Sequence, residues 1–371
     1  MKRVLIVGGA GFIGSHLAKL LLEKGDAVRV IDKLLPQVHG DSGAPPAYLS
    51  SEVEFLRGDV RDLPAMERAV HGVDAVVHLA AAVGVGQSMY RIADYVATND
   101  LGTAVLLEAL MRHPVRRLVV ASSMSIYGEG LARGADGQLV EPAARPVEQL
   151  RRGQWEIEGP AGEALEPVPT PESKTPALSS VYALNKYTQE RLCLIFGRAY
   201  DVPTVALRFF NVFGTNQALS NPYTGVLAIF ASRLLNGRPP LIFEDGQQRR
   251  DFVHVRDVAR ACLAALENPA AADQTFNVGS GRSRTIEEVA RALAAALGRD
   301  DLRPQITGRY RAGDIRHCFA DLARARASLG FEPVEDFDAG LAELGEWLAG
   351  EVALDRVEQA TEELARRGLV A

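Results

Sequence analysis

The sequence predicts an α/β protein built on a doubly wound parallel sheet, with a smaller α+β substrate-binding lobe behind it. Three observations carry this expectation. Short β-branched runs alternate with helical stretches through the first two-thirds of the 371 residues, which is the pattern of βαβ crossovers. Those runs are predominantly apolar rather than alternately polar, as strands covered on both faces are. A glycine cluster stands directly after the first run, where a doubly wound sheet binds its ligand.

Taken in order, the predicted strands are Val4 to Val7, Ala27 to Ile31, Val53 to Leu56, Ala75 to His78, Arg117 to Ala121 and Thr204 to Arg208. Helical periodicity fills the intervals at Phe12 to Lys24, Pro64 to Val70, Tyr95 to Arg112 and Ser180 to Tyr200. Residues 1–215 are thereby assigned to a dinucleotide-binding domain. Residues 216–371 read as mainly a second lobe interwoven with the sheet. Its helices fall near Thr224 to Asn236, Val255 to Glu267, Thr285 to Leu297 and Asp338 to Leu348, with short strands at Leu241 to Phe243 and Phe276 to Val278. One segment, Glu129 to Leu178, is rich in Gly, Pro and Glu without sustained periodicity and reads as a long surface insertion. Ala353 to Arg367 reads as a charged helix docked by one face on its own lobe.

Composition narrows the classes. Hydrophobic residues make up 47% and charged residues 24%, and the net charge is -6, so no basic surface for nucleic acid is expected. No apolar run reaches the roughly 18 residues of a membrane span, and the chain opens directly in a strand pattern, so a cytoplasmic protein without membrane attachment is expected. Cys193, Cys262 and Cys318 are far apart and lack CxxC spacing, which fits a reducing compartment and predicts neither disulfide nor metal site.

Two motifs carry chemistry. Gly8, Gly11 and Gly14, with Phe12 and Ile13 between them, follow the first strand and open a helix. Glycines there let the backbone approach a pyrophosphate closely, and the helix start offers it N–H groups. Asp32 ends the second strand 18 residues after Gly14. An acidic group at that place accepts from the adenosine ribose and repels a 2′-phosphate, so the expected cofactor is NAD in a Rossmann site. The second motif is Tyr182-Ala183-Leu184-Asn185-Lys186. Tyr182 and Lys186 share a helix face, so the ammonium favours the phenolate and makes Tyr182 a usable base.

Together with these motifs, Asp59-Val60, Leu79-Ala80-Ala81, Asn99, Ser122-Ser123 before Tyr127-Gly128, and Arg208-Phe209-Phe210-Asn211 make the chain resemble the extended short-chain dehydrogenase/reductase family. The branch it resembles holds the NAD-dependent nucleotide-sugar epimerases and dehydratases, and among these it is most similar to the UDP/dTDP-sugar 4-epimerases. The resemblance covers nearly the whole chain. It implies Ser123, Tyr182 and Lys186 as catalytic residues, with Ser123 on the sugar oxygen and Lys186 on the nicotinamide ribose. It implies a cofactor site of Gly8, Gly11, Phe12, Ile13, Gly14, Asp32, Asp59, Val60, Leu79, Ala80, Ala81, Asn99, Ser122, Tyr182, Lys186 and Phe209. Asn211, Arg250 and Arg311 are implied to grip the nucleotide diphosphate, with Asp314 near its ribose, and a homodimer is implied through the helices at Tyr95 to Arg112 and Ser180 to Tyr200.

Two departures shape the functional expectation. The interval from Ser123 to Tyr182 is 59 residues, longer than the family pattern, and holds the insertion. After Ser123 stand Met124 and Ser125, where dehydratases of this branch carry an Asp-Glu pair. Neither can act as a carboxylic acid. The expected function is therefore inversion at C4 of a UDP- or dTDP-linked hexose, hexuronic acid or 6-deoxyhexose. The alternatives are a dehydrogenase, ketosugar reductase or dehydratase on the same fold, or a non-enzymatic dinucleotide-sensing protein.

Overall fold

The computed structural model describes residues 2–219, 221, 223, 225–351 and 355–371. Thr224, Ala353 and Leu354, which the sequence assigns to helices, lie outside the described residues. Among the described residues the central sheet has seven parallel strands: β1 (Arg3–Val7), β2 (Ala27–Asp32), β3 (Glu54–Arg57), β4 (Ala75–His78), β5 (Arg117–Ser123), β6 (Thr204–Phe209) and β7 (Gln274–Val278). Their order is β7-β6-β5-β4-β1-β2-β3. The order reverses between β1 and β4, and a crevice opens at their carboxyl ends.

Alternate residues of each strand go to opposite faces. Val4 and Ile6 of β1 join Val28, Val30, Val119 and Val205 in one core, covered by helices α1 (Phe12–Glu23) and α6 (Val255–Glu267). Leu5 and Val7 join Val76, Leu118 and Val120 in the other, covered by α2 (Leu63–Val70), α3 (Gly102–Arg112) and α4 (Val181–Tyr200). A third core lies between α5 (Val226–Leu235), α7 (Ile286–Ala296) and α8 (Phe337–Leu348). The last helix, α9, spans Val357–Arg366. Arg208 of β6 forms a buried bidentate pair with Glu190 of α4, at 3.0 and 2.7 Å, which fixes α4 against the sheet.

Three elements differ from the sequence expectation. The strand at Phe276 to Val278 is not part of the second lobe: as β7 it pairs with β6 and completes the main sheet. The helix expected from Tyr95 is interrupted by a π-helical segment, Val96–Leu101, before α3 begins. Such wide turns mark places where side chains are re-aimed, and Asn99 sits in this one.

The insertion is not a surface loop. It carries an antiparallel three-stranded sheet of Ala132–Arg133, Leu139–Val140 and Glu166–Pro167, a short helix at Val147–Arg151, and a small core of Ala132, Ile157 and Leu165. Its strands are two residues long, too short for periodicity to register. Buried charges attach it to the second lobe. Arg145 donates to both carboxylate oxygens of Glu244, at 3.0 and 2.9 Å. Arg316, fully buried, reaches Glu244 at 2.9 Å, Asp245 at 2.6 and 2.9 Å, and Glu156. Glu129 accepts from the backbone N–H groups of Arg316 and His317. Burial raises the Glu129 carboxyl above its usual range, against the opposing pull of Arg145.

Candidate active site

The loop after β1 turns at Gly8, whose φ of +80° suits glycine, and a Cβ there would stand 2.7 Å from the backbone of Ala80. The loops after β1 and β4 thus touch at the switch point only because that side chain is absent. α1 starts at Gly11 without a side-chain cap, so its first-turn N–H groups remain available to an anion. Asp32 closes β2, its Oδ2 accepting from Ala10 N at 3.2 Å and its Oδ1 from Leu34 N at 2.9 Å. Lys33 turns away from Asp32 to pair with Asp59 at 2.9 Å. Arg61 and Lys33 together hold the Asp59 carboxyl well below the usual range, so no unpaired cation stands ready for a 2′-phosphate at that lysine.

These elements border a cavity of about 1270 Å³, larger than the roughly 300 to 1,000 Å³ of single-ligand pockets and roomy enough for two ligands. Gly8, Gly11, Phe12, Ile13, Gly14, Asp32, Asp59, Val60, Leu79, Ala80 and Ala81 line one part of it, and Ser122, Ser123, Tyr182, Lys186, Phe209 and Asn211 line another. Asn211 Oδ1 and Ser122 Oγ are buried without a hydrogen-bond partner among the described residues, so both suit a polar ligand. The glycine turn, the uncapped helix and Asp32 fit NAD.

Tyr182 and Lys186 come from the first turns of α4, whose start is fixed by Ser180, its side chain accepting from Ala183 N. Tyr182 N is held by Ser88 Oγ at 3.0 Å. Burial pushes the Tyr182 hydroxyl up to about 12, a hydrogen bond with Ser123 pulling the other way. Burial draws Lys186 down to about 8. Ser123 ends β5 and caps the 3₁₀ turn Met124–Tyr127. Both the N–H and the hydroxyl of Ser125 donate to Ser123 Oγ, at 3.2 and 3.0 Å, so the Ser123 proton is left to donate onward. Met124 packs with Ile126, Tyr127 and Phe210 in a separate apolar cluster.

Four expected site residues are not brought to the cavity. Asn99 is fully buried and brackets the backbone of Ala82, its Oδ1 accepting at 2.7 Å and its Nδ2 donating at 3.1 Å, so it shapes the loop after β4 from behind. Arg250 spends its guanidinium on the carbonyls of Arg249, Ile315 and Arg316. Asp314 is held in the same segment, its carbonyl accepting from Arg145. Arg311 lies behind Gly86, its guanidinium over the Phe243 ring. The insertion's charge network fixes the 311–316 segment, two of whose backbone carbonyls accept from the arginine at 250.

Sequence reasoning missed one wall of the cavity. Leu364 of α9 packs on Gly86, where a Cβ would lie 3.2 Å from its methyl carbon. Tyr90 donates to the Tyr223 hydroxyl at 2.7 Å, and Tyr223 donates to Glu363 Oε2 at 3.1 Å. The C-terminal helix thus crosses from the second lobe to the loop after β4, with Gln359, Ala360 and Glu363 facing the cavity. Its amphipathic spacing was visible in the sequence; the surface it covers was not.

The model of the NAD dependent epimerase/dehydratase family matches residues 4–149 and 158–279. The chain is 36% identical over 361 residues to a dTDP-L-rhamnose 4-epimerase of Burkholderia thailandensis, with 96% of each chain covered. Among solved structures it is similar to the UDP-glucose 4-epimerase of Thermotoga maritima with UDP-glucose, at 31% identity and a TM-score of 0.76, covering 94% of this chain and 98% of that one. It is also similar to the UDP-glucose 4-epimerase of Thermus thermophilus in complex with NAD, at 31% identity and a TM-score of 0.73, covering 94% and 100%.

Proposed function

The chain belongs to the NAD-dependent epimerase/dehydratase family, and from that premise we propose that it is a nucleotide-sugar 4-epimerase. Its substrate is a UDP- or dTDP-linked hexose, hexuronic acid or 6-deoxyhexose, and the similarity to a dTDP-L-rhamnose 4-epimerase makes a dTDP-linked 6-deoxyhexose the first to test. The observation that carries the reading is the grouping of Ser123, Tyr182 and Lys186 on one wall of the cavity, with no carboxylic acid at positions 124 and 125.

NAD, when bound, supplies a reversible two-electron acceptor for C4. Ser123, with its oxygen occupied by the two donors of Ser125, donates its proton to the sugar O4 or to Tyr182. Tyr182 as phenolate takes the proton from O4 as C4 is oxidised and returns it when C4 is reduced on its other face. Lys186 keeps a positive charge beside that phenolate. Asn211 offers its unpartnered Oδ1 to the nucleotide sugar.

A homodimer completes the proposal. Ile92, Val96 and Leu101 before α3, and Leu184 and Ile195 on the neighbouring α4, are exposed apolar side chains that a second copy of this chain would cover. The experiment for the function is incubation with a panel of UDP-, dTDP- and GDP-sugars without added cofactor, read by NMR. Conversion of one sugar to its C4 epimer is expected; a requirement for stoichiometric external cofactor would support a dehydrogenase or reductase instead.

A further inference from the structure

Behind Lys186 runs a buried hydrogen-bonded chain that the proposed reaction does not use. Lys186 Nζ donates to Gln189 Oε1 at 2.8 Å, and both residues are almost wholly buried. Gln189 Nε2 donates to Thr103 Oγ1 at 2.9 Å and lies 3.2 Å from His78 Nε2. The Thr103 proton is committed to the Asn99 carbonyl at 2.6 Å, so the Thr103 oxygen accepts. His78 Nε2 reaches the same oxygen at 2.9 Å. This fixes the amide orientation: a flip would set an NH₂ against the ammonium and a carbonyl against a hydroxyl with no proton to give.

We propose that Gln189 is a positioning residue of the reaction, its amide oxygen holding the proton on Lys186 and directing the remaining ammonium donors toward the cavity beside Tyr182. The proposal rests on the reading of Tyr182 and Lys186 as the acid/base pair. A neutral acceptor suits this task better than a charged one. A carboxylate at the same place would clamp the ammonium and cancel its field at Tyr182, whereas an apolar side chain would leave a buried cation without solvation.

The groups that face Lys186 leave this role to Gln189. On its own helix, Tyr182 and Cys193 carry protons that burial holds tightly, and Glu190 is taken by Arg208 of β6. From β4, His78 is held neutral, burial pulling it down to about 3. From the π-helical segment, Asp100 is bonded to Asn185 at 2.7 Å. Among the described residues, then, no carboxylate pairs directly with the ammonium. Burial pulls Lys186 down, with Cys193 and Glu190 pulling the other way; the Gln189 amide oxygen, at 2.8 Å, is the acceptor in direct contact with the ammonium.

The chain has only six lysines, so the titration of Lys186 can be read directly. NAD-loaded full-length protein labelled at lysine 13Cε is titrated by NMR, with Lys186→Met assigning the signal. The wild-type midpoint is expected below those of the other lysines. Gln189→Glu is expected to raise it, and Gln189→Met to lower it, each by about one pH unit or more. The alkaline limb of the kcat profile should move with the midpoint in both variants. An unmoved midpoint, or shifts of the same sign accompanied only by lower thermal stability, would overturn the proposal. If the Met variant does not fold, Gln189→Glu decides alone. A wild type without epimerase activity but with opposed shifts would fail the functional reading and leave the positioning of Lys186 intact.

Discussion

Replacing Lys186 by Met removes a buried cation from the face of α4 that carries Tyr182. Without ligand, burial holds Tyr182 up at about 12 and Lys186 down at about 8, so about four units separate the neutral pair from the phenolate–ammonium pair that can accept a proton from O4. Two unit charges at the roughly 6 Å of an i,i+4 pair, in an effective dielectric of about 20, attract by about 2.8 kcal/mol. That is about two pH units. Lys186 therefore closes roughly half the gap, the Ser123 hydrogen bond being already included in the Tyr182 value, and the positive charge of bound NAD supplies the rest. Lys186→Met is expected to lower kcat near pH 7.5 by about 10²-fold. Its remaining rate should climb about tenfold per pH unit into the alkaline range, because raising the pH then generates the phenolate that the ammonium no longer supports. The assay is NMR of C4 epimers on protein whose NAD content has been checked by absorbance. A loss of the same factor at every pH would refute the argument and leave Lys186 as a ribose anchor only.

Tyr182→Phe should cut turnover by at least about 10²-fold while NAD stays bound, since one acid/base hydroxyl is lost and little contact area with it; a near wild-type rate would make the tyrosine structural. Replacing residues 131–169 by a short linker should destabilise the protein measurably in urea, because Arg316 and Glu244 lose Glu156 and Arg145 and are left buried without these partners; an unchanged midpoint would restore the view of a dispensable surface insertion. The product should keep its mass in ordinary water and gain no solvent deuterium at C5 in heavy water. A product lighter by one water would identify an unrecognised acid near Ser123 and a dehydratase.

The glycine turn, Asp32 and the Tyr182–Lys186 pair were legible because each is a local pattern whose geometry one strand end or one helix face dictates. Ser123 was legible by its place at the end of a strand. The placement of the arginine at 250 and of Asp314 outside the cavity lining was not, since it depends on where the 311–316 segment lies, and the insertion's charges set that segment in place. Gln189 carries no motif at all: it matters only because Thr103 and His78, from two other elements, meet its amide behind Lys186.

By itself the sequence determined the six strands from β1 to β6, the helices between them apart from the π-helical segment before α3, and the dinucleotide loop, because apolar runs and helical periodicity encode burial residue by residue over short windows. Tertiary structure alone decided where β7 pairs, how two-residue strands build the insertion, and that α9 lines the cavity and packs Leu364 on Gly86. The physical reason is range. These contacts join segments up to 278 positions apart, and each half of such a contact is locally an ordinary strand, charge or helix face until its partner is brought against it.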